Sequence, residues 1–566
     1  MRAIERFTRR SASVSLVWAT LGIFAGCNSP GVDDSSTLAS ATGQALSSPH
    51  IMRVAGSSPA STPGGIIYGG GPIMSGTVNV YYIFYGNWTN NTGPTILTDW
   101  ANSVGGSGYW DINTLYTDAT GKHPSNSVSF GGSTTVSATG SITDSDVFTI
   151  VSNAITTGAL PKDTNGVYFV VTSADIDESS GFCTLFCGWH THATIGGSDI
   201  KYSFVGNFDR CPGACTAPSP SPNGNPGVDG MMTAVSHELM ETVTDPDLNA
   251  FGNGTETENG DLCNFNMGNA QDQYTTANGA KANQRLGSRD YLIQQNFLPI
   301  DSGQCAPRYN RKDINVDLDT DILWHNPTTG QIQEWMLHGT TRDSFQNVGI
   351  SVPGPDWNLR GIGDFNFDGH PDFLWHNVTT GQIQVWMMVG ANRTSFVTLS
   401  INVPGPNWQI RGLGDFDRDG NVDIVWHNSS TGQIQVWFMN GTTRTSFVTL
   451  SLTVPGPDWQ LAGTGDFNSD GKVDLIWHNP TVGTVQVWFM NGTSRSSFQN
   501  LAQTVSGSSW QLRGTGDFNR DGKPDLLWFN VSTGEIQTWL MDGTTRTGFP
   551  DVTPGNPGAG WTIVSR

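Results

Sequence analysis

Charge is scarce in this chain. Asp, Glu, Lys and Arg make up 14% of its 566 residues, against ~25% in ordinary soluble domains. Basic residues are the scarcer kind, 28 Lys and Arg against 49 Asp and Glu, which leaves a net charge of −21. Such a surface repels phosphate backbones and anionic lipid, so nucleic acid is excluded as a partner, and membrane contact is left to an N-terminal lipid alone. Past the first 27 residues no apolar run is long enough to cross a bilayer. No G-x-S-x-G elbow is present, which removes the usual setting for a serine nucleophile. Cysteine is confined: after Cys27 there are six, all between positions 183 and 305.

What is abundant is Gly (69) and Trp (20), the signature of a β-rich, turn-rich exported protein. The length predicts several domains. Arg2, Arg6, Arg9 and Arg10 precede an apolar stretch from Ser11 to Gly26, as in an export signal. Phe24-Ala25-Gly26-Cys27 resembles the end of a bacterial lipoprotein signal, which implies lipidation of Cys27, although Phe24 stands where leucine is usual. Ordinary secretion is the alternative. Residues 28–74 are rich in Ser, Gly and Pro and read as a flexible tether.

Residues 75–310 mix strand and helix patterns. VNVYYIFYGNW and GVYFVVTS read as buried strands, PTILTDWANSVGG and DSDVFTIVSNAITTG as helices, the second capped by Thr143 or Asp144. This predicts a mixed α/β domain. Its six cysteines, in an exported chain, predict three disulfides. Fifteen connectivities are possible; close spacing favours Cys183 with Cys187 and Cys211 with Cys215, leaving Cys263 with Cys305. A zinc knot of the two C-x-x-x-C pairs would need reduced thiols, which an oxidising compartment disfavours.

YGNWT at Tyr85, FCTLFCGWH at Phe182, VGNFDRCPGAC at Val205, NGNPGVDGMMTAVSHELMETVTDPDLNA at Asn223, ENGDLCN at Glu258 and RDYLIQQNFLP at Arg289 together resemble the Exordium, or phosphate-induced protein 1, family over about residues 77–306. The resemblance implies an extracellular or cell-surface setting and no established reaction.

From Arg311 to the end a 51-residue period takes over. Asp364, Asp415, Asp466 and Asp517 each begin D-F-[ND]-x-D-G-x-x-D, and Asp313 begins a decayed copy one period earlier. Four short strands per period, as in DIVWHN, QIQVWFMN, RTSFVTL and DWQLAGTGDF, are the anatomy of a propeller blade. The repeats resemble FG-GAP or VCBS modules, so 311–566 is expected to be an all-β propeller of five four-stranded repeats. Each period carries tryptophan at three places, such as Trp426, Trp437 and Trp459. These are expected mainly in the core; with His427, Asn428, Gln435 and Arg444 they also form candidate sugar sites.

Two sets of residues suit metal ions. The acidic loops set hard oxygens around a turning glycine, which predicts four calcium sites: Asp364, Asn366, Asp368, Asp372; Asp415, Asp417, Asp419, Asp423; Asp466, Asn468, Asp470, Asp474; and Asp517, Asn519, Asp521, Asp525. In the decayed copy, Asp313, Asn315, Asp317 and Asp321 keep the oxygens while Leu318 replaces the glycine. Asx-turn hydrogen bonding alone is the alternative.

The second set lies in Ser236-His-Glu-Leu-Met-Glu, one glutamate away from the zinc-protease signature H-E-x-x-H. By that resemblance His237 is a ligand, Glu238 the general base, Glu241 stands in the second-histidine place, Glu258 is the third ligand and Asp261 its supporting carboxylate. The exchange at Glu241 favours harder ions than Zn²⁺, and His190 in GWHTH, preferred over His192, is the candidate to supply the missing imidazole. The alternative is a structural helix with locally satisfied side chains. Two functions compete: a surface protein whose propeller binds extracellular glycan or protein, and a zincin-like, peptidase-like metallohydrolase that the propeller targets to its substrate.

Overall fold

The computed structural model describes residues 48–56, 65–252, 257–352, 355–403, 405–454 and 458–564. The export signal and Cys27 lie outside the described residues. A mixed α/β domain is followed by a five-bladed β-propeller.

The first domain is organised by a six-stranded sheet of β1 (His50–Arg53), β2 (Val78–Tyr85), β3 (Val128–Val136), β4 (Gly166–Thr172), β5 (Phe186–Ile195) and β6 (Ser198–Val205), in the order β1-β5-β6-β4-β2-β3. The β6, β4, β2 and β3 strands run parallel, while β5 is antiparallel to both β6 and β1. Every residue of β4 is buried, as expected of a parallel strand covered on both faces. The tether expectation for 28–74 fails where this stretch is described: β1 extends the main sheet, and Ile67–Tyr68 pairs with Phe251–Gly252. The run His50-Ile-Met-Arg-Val has the β-branched and apolar character of a strand inside a tract otherwise poor in large side chains.

Four helices cover the sheet: α1 (Gly93–Ser103), the short α2 (Gly108–Asp111), α3 (Asp144–Thr156) and α4 (Pro226–Thr244). Thr143 and Asp146 form a reciprocal capping box at the start of α3. In α4 only Pro226, at the first position where its missing N–H costs nothing, escapes burial. Met231, Val235, Leu239, Met240 and Val243 make this helix apolar on several faces, so it runs through the domain interior instead of along its surface. Asp245-Pro246 ends it, and Asp245 Oδ1 accepts from Asn249 and Ala250 N–H to turn the chain.

The disulfides are Cys183–Cys211, Cys187–Cys215 and Cys263–Cys305. The expected Cys183–Cys187 and Cys211–Cys215 pairs are therefore corrected. The two C-x-x-x-C segments lie side by side, and the corresponding cysteines of each bond across, which ties the start of β5 to the loop before α4.

The propeller is closed. Its first sheet consists of Thr341–Asn347, Ile332–His338, Ile322–His325 and the C-terminal Thr562–Ile563, so the two ends of the propeller share one blade. The aromatic ladder repeats with the blades. His325, His376, His427 and His478 each meet, edge to face, a tryptophan of the next blade (Trp375, Trp426, Trp477 and Trp528). At the seam Phe529 takes the histidine's place against Trp324. The inner tryptophans are core: Trp324, Trp375, Trp426, Trp477 and Trp528 are all fully buried.

The loop end of the propeller sits on the first domain. Tyr309 Oη donates to Asp364 (3.0 Å), Arg308 to Asp517 (2.5 Å), and Arg311 to Asp111 (2.6 and 2.7 Å) and to the Gly420 carbonyl (2.9 Å). Across the same junction the His123 and Phe367 rings pack 3.9 Å apart.

Candidate metal centre

The helix α4 stacks His237 and Glu241 one turn apart, with His237 Nε2 3.1 Å from Glu241 Oε1. The same oxygen accepts the Asp261 N–H at 3.0 Å. Glu241 Oε2 is thereby left to face two other imidazoles, 3.5 Å from His50 Nδ1 and 3.6 Å from His190 Nδ1, and it makes no hydrogen bond. Glu258 completes the group: its Oε1 is 3.7 Å from His50 Nδ1 and its Oε2, also without a hydrogen bond, 3.7 Å from His190 Nε2.

His50, His190, Glu241 and Glu258 each offer one ligand atom, and the four atoms lie within 4.8 Å of one another. Their separations suit a small divalent ion whose ligands sit at roughly 2.0–2.2 Å. Two imidazoles with two carboxylates is also a better transition-metal set than the one imidazole expected from α4 alone. One imidazole is that of His190, the candidate named from the sequence, and the other comes from β1, where His50 sits directly opposite His190 in the sheet register. His50 escaped the sequence reading because it lies outside any motif. The signal available was the strand-like run it begins.

The other expected residues surround this group. His190 donates from Nδ1 to Glu238 Oε2 at 3.0 Å, which holds the ring with Nε2 as its free lone pair. Glu238 Oε1 takes the Met52 N–H at 3.3 Å. So placed, Glu238 holds His190 through one oxygen and takes the β1 backbone on the other. His237 stands behind Glu241 and 3.7 Å from Asp261 Oδ1, outside the four-atom group but in a second one, its ligand atom within 4.8 Å of those of Glu238 and Glu241. Asp261 supports from the far side, Oδ2 lying 3.6 Å from His50 Nε2. His192 is elsewhere, on Asp199 at 2.8 Å. Gly260 is required, because a Cβ there would come within 2.9 Å of Glu241 Oε1 and 3.0 Å of the His237 ring.

Four acids face three imidazoles in a nearly dry space. Burial pushes Glu238 and Glu258 well above the usual carboxylate range, and burial with the Glu241 charge raises Asp261 to about 6. Burial would raise Glu241 as well, but His237 and His50 outweigh it and hold that carboxyl below its usual range. Burial lowers His190 to about 3; burial would lower His50 too, but Glu258, Glu241 and Asp261 carry it well above its ordinary value, so a metal ion would displace a proton there. Burial would also lower His237, yet Glu241, Glu238 and Asp261 carry it up to about 9. A divalent cation would offset this excess of acid. His50 and Glu258 also line a cleft of about 580 Å³ with Ile51, Phe186 and Asp144, while His190 and Glu241 lie fully buried behind them.

The acidic loops of the propeller are held differently. In each, the last aspartate spends both oxygens on backbone N–H groups, one in the loop and one in the strand after its own: Asp372 on Phe365 and Met388, Asp423 on Phe416 and Met439, Asp474 on Phe467 and Met490, Asp525 on Phe518 and Met541. The first aspartates (Asp364, Asp415, Asp466 and Asp517) cap the turn at the N–H of the glycine. Side-chain amides bridge the middle of two loops, Asn366 to Asp368 and Asn519 to Asp521, while Asn468 accepts the Asp470 N–H and Asp419 that of Asn421. Only Asp415, Asp417 and Asp423 bring three carboxylate oxygens within 4.8 Å of one another among the described residues. In the decayed copy Leu318 takes the glycine's place at φ 75°, so the turn survives with a strained residue. The candidate sugar groups are likewise occupied: His427 contacts the Val454 carbonyl, Asn428 caps its own turn, Gln435 bridges Trp437 and Thr449, and Arg444 lies 4.4 Å over the Trp437 ring.

The phosphate-induced protein 1 conserved region matches residues 66–291, and the FG-GAP-like repeat matches 364–426, 415–477 and 466–528. Protein EXORDIUM-like 3 of Arabidopsis thaliana is 30% identical over 263 residues, 40% of this chain and 77% of that protein. The chain belongs to the Exordium family. EXORDIUM-like 5 of the same plant is 33% identical over 227 residues, 34% of this chain and 62% of its own length. Among solved structures, AztD of Citrobacter koseri aligns over 48% of this chain and 77% of its own at 12% identity and a TM-score of 0.24, too remote to bear on function. Three members of the four-residue group, His190, Glu241 and Glu258, fall inside the region matched to the family; His50 precedes it.

Proposed function

We propose that the Exordium-like domain is an exported metal-dependent hydrolase of extracellular polymers and that the propeller holds it near its substrate. The observation that carries this is the convergence of His50, His190, Glu241 and Glu258, two of which, His50 and Glu258, also line a cleft. A divalent ion held there, Zn²⁺ or a harder relative, would supply Lewis acidity once one ligand position opens to water. In amide hydrolysis the water oxygen would bond the carbonyl carbon, the C–N bond would break, and one proton of the water would pass by way of Glu238, its Oε1 released by Met52, to the departing nitrogen. Export is supported by three disulfides and the basic-then-apolar N-terminus. Among the described residues no helix is long and apolar enough to cross a membrane.

For the propeller, the supporting observation is a ladder on its rim. Phe345, Phe396, Phe447, Phe498 and Phe549 stand at least half exposed beside arginines stacked on tryptophan, one set per blade, and suit a glycan or protein ligand. Calcium at Asp415, Asp417 and Asp423 would brace this module.

Elemental analysis of the full chain after incubation with Zn²⁺ and gel filtration should give one transition metal per chain, reduced by Glu258→Gln. A metal-free wild-type protein would remove the hydrolase reading. Glycan arrays with and without chelator test the propeller, and no binding in either condition removes that role.

A further inference from the structure

We propose that the arm of residues 48–56 is a displaceable strap that keeps the metal centre closed, so that the hydrolase is held latent until the arm leaves. This rests on the metal-centre reading above. Four observations converge on it.

The arm does two things at once. His50 fills the fourth position of the ligand group, and Met52 N–H takes the one oxygen of Glu238 that His190 does not use. Four protein ligands make a closed, structural centre, whereas a catalytic one keeps a position for water. Withdrawing β1 would open a coordination position and free Glu238 Oε1 in a single step, which restores the general-base role the sequence predicts for Glu238.

The arm precedes the region matched to the family, while His190, Glu241 and Glu258 lie within it. In the sheet β1 is a four-residue edge strand with one neighbour, β5. Beyond the strand, its further backbone ties include Val54 N–H to Leu185, Ala55 N–H to Ala214, and the Arg53 carbonyl to Asn264. Short edge strands paired on one side are among the elements that open first. Finally, Ser48, Pro49, His50, Ile51 and Arg53 form one wall of the cleft, so its departure widens the path to the centre.

The test uses the full chain, His50→Ala in the full chain, and a chain beginning at residue 57, each loaded with Co²⁺. Metal is counted by elemental analysis, and its visible absorption is read with and without acetohydroxamate, a small bidentate ligand. The strap predicts that the wild-type spectrum ignores acetohydroxamate. Both variants should retain one Co²⁺ and show a changed spectrum on its addition. Hydrolysis of a fluorescent casein should rise at least tenfold on removal of the arm. Two results overturn it: loss of Co²⁺ from both variants, which makes His50 a permanent ligand, or a wild-type spectrum that already responds to acetohydroxamate. Should the shortened chain fail to fold, His50→Ala alone decides. Absence of Co²⁺ from the wild type overturns the metal-centre reading itself and the strap with it.

Discussion

Glu238 illustrates how much a neighbour decides at the scale of one side chain. Its position beside His237 is fixed by the helix, but its work is set by His190 from β5 and Met52 from β1, both brought in by the sheet. Glu238→Gln keeps the volume and weakens the hold on His190 Nδ1, so metal affinity should fall about 10- to 100-fold, as for other carboxylates that orient a ligating histidine. Competition with a chromogenic chelator measures this, with circular dichroism unchanged. Gly260→Ala should cost comparable affinity by a different route, since its methyl would intrude on Glu241 and His237. Metal binding by Gly260→Ala as tight as that of the wild type would show that this corner of the site can relax.

Single elements make their own predictions. The crossed pairing of the two C-x-x-x-C segments should appear as Cys183–Cys211 and Cys187–Cys215 peptides in non-reducing digests. Replacing Cys187 and Cys215 by serine should destabilise the first domain by about 3 kcal/mol, from chemical denaturation. In the blades, burial raises Asp372 to about 8, Asp423 to about 9, Asp474 to about 8 and Asp525 to about 9, against backbone N–H bonds that pull the other way. With folded values above the unfolded value near 4, these groups bind more protons in the folded state, so stability falls as pH rises toward 9. Buried His376 and His427, lowered to about 4, act oppositely but only below about pH 6.5. Between pH 7 and 9 Lys312 and Arg411, lowered by burial to about 8 and about 9, act against the aspartates, which outnumber them. The ion-free propeller should therefore melt at a lower temperature at pH 9 than at pH 7. If the Asp415 loop takes calcium, millimolar Ca²⁺ should raise the melting temperature more at pH 9, where a proton no longer competes. A calcium effect independent of pH, or none, would count against that site.

At the scale of the whole molecule, Arg311 joins the two domains. It is half-buried against Asp111, and its charge lies close to Asp415. Arg311→Ala strands the Asp111 carboxylate and should cost about 3–5 kcal/mol, seen in calorimetry as two separated transitions where the wild type unfolds as one. Ending the chain at residue 559 removes Ile563 and the strand that closes the first blade. The loss of core should lower the melting temperature by roughly 10 °C. By itself, the sequence determined the period of 51, four strands per blade, the tryptophan core, α1, α3 and α4, and the stacking of His237 and Glu241 one turn apart, because each is written in local spacing. The ring's closure by Thr562–Ile563, the crossed disulfides, the docking of the acidic loops on Arg308 and Arg311, and the entry of His50 into the centre were decided only by tertiary structure. Each joins residues between 28 and more than 200 positions apart, and contacts of that range leave no periodicity in the chain.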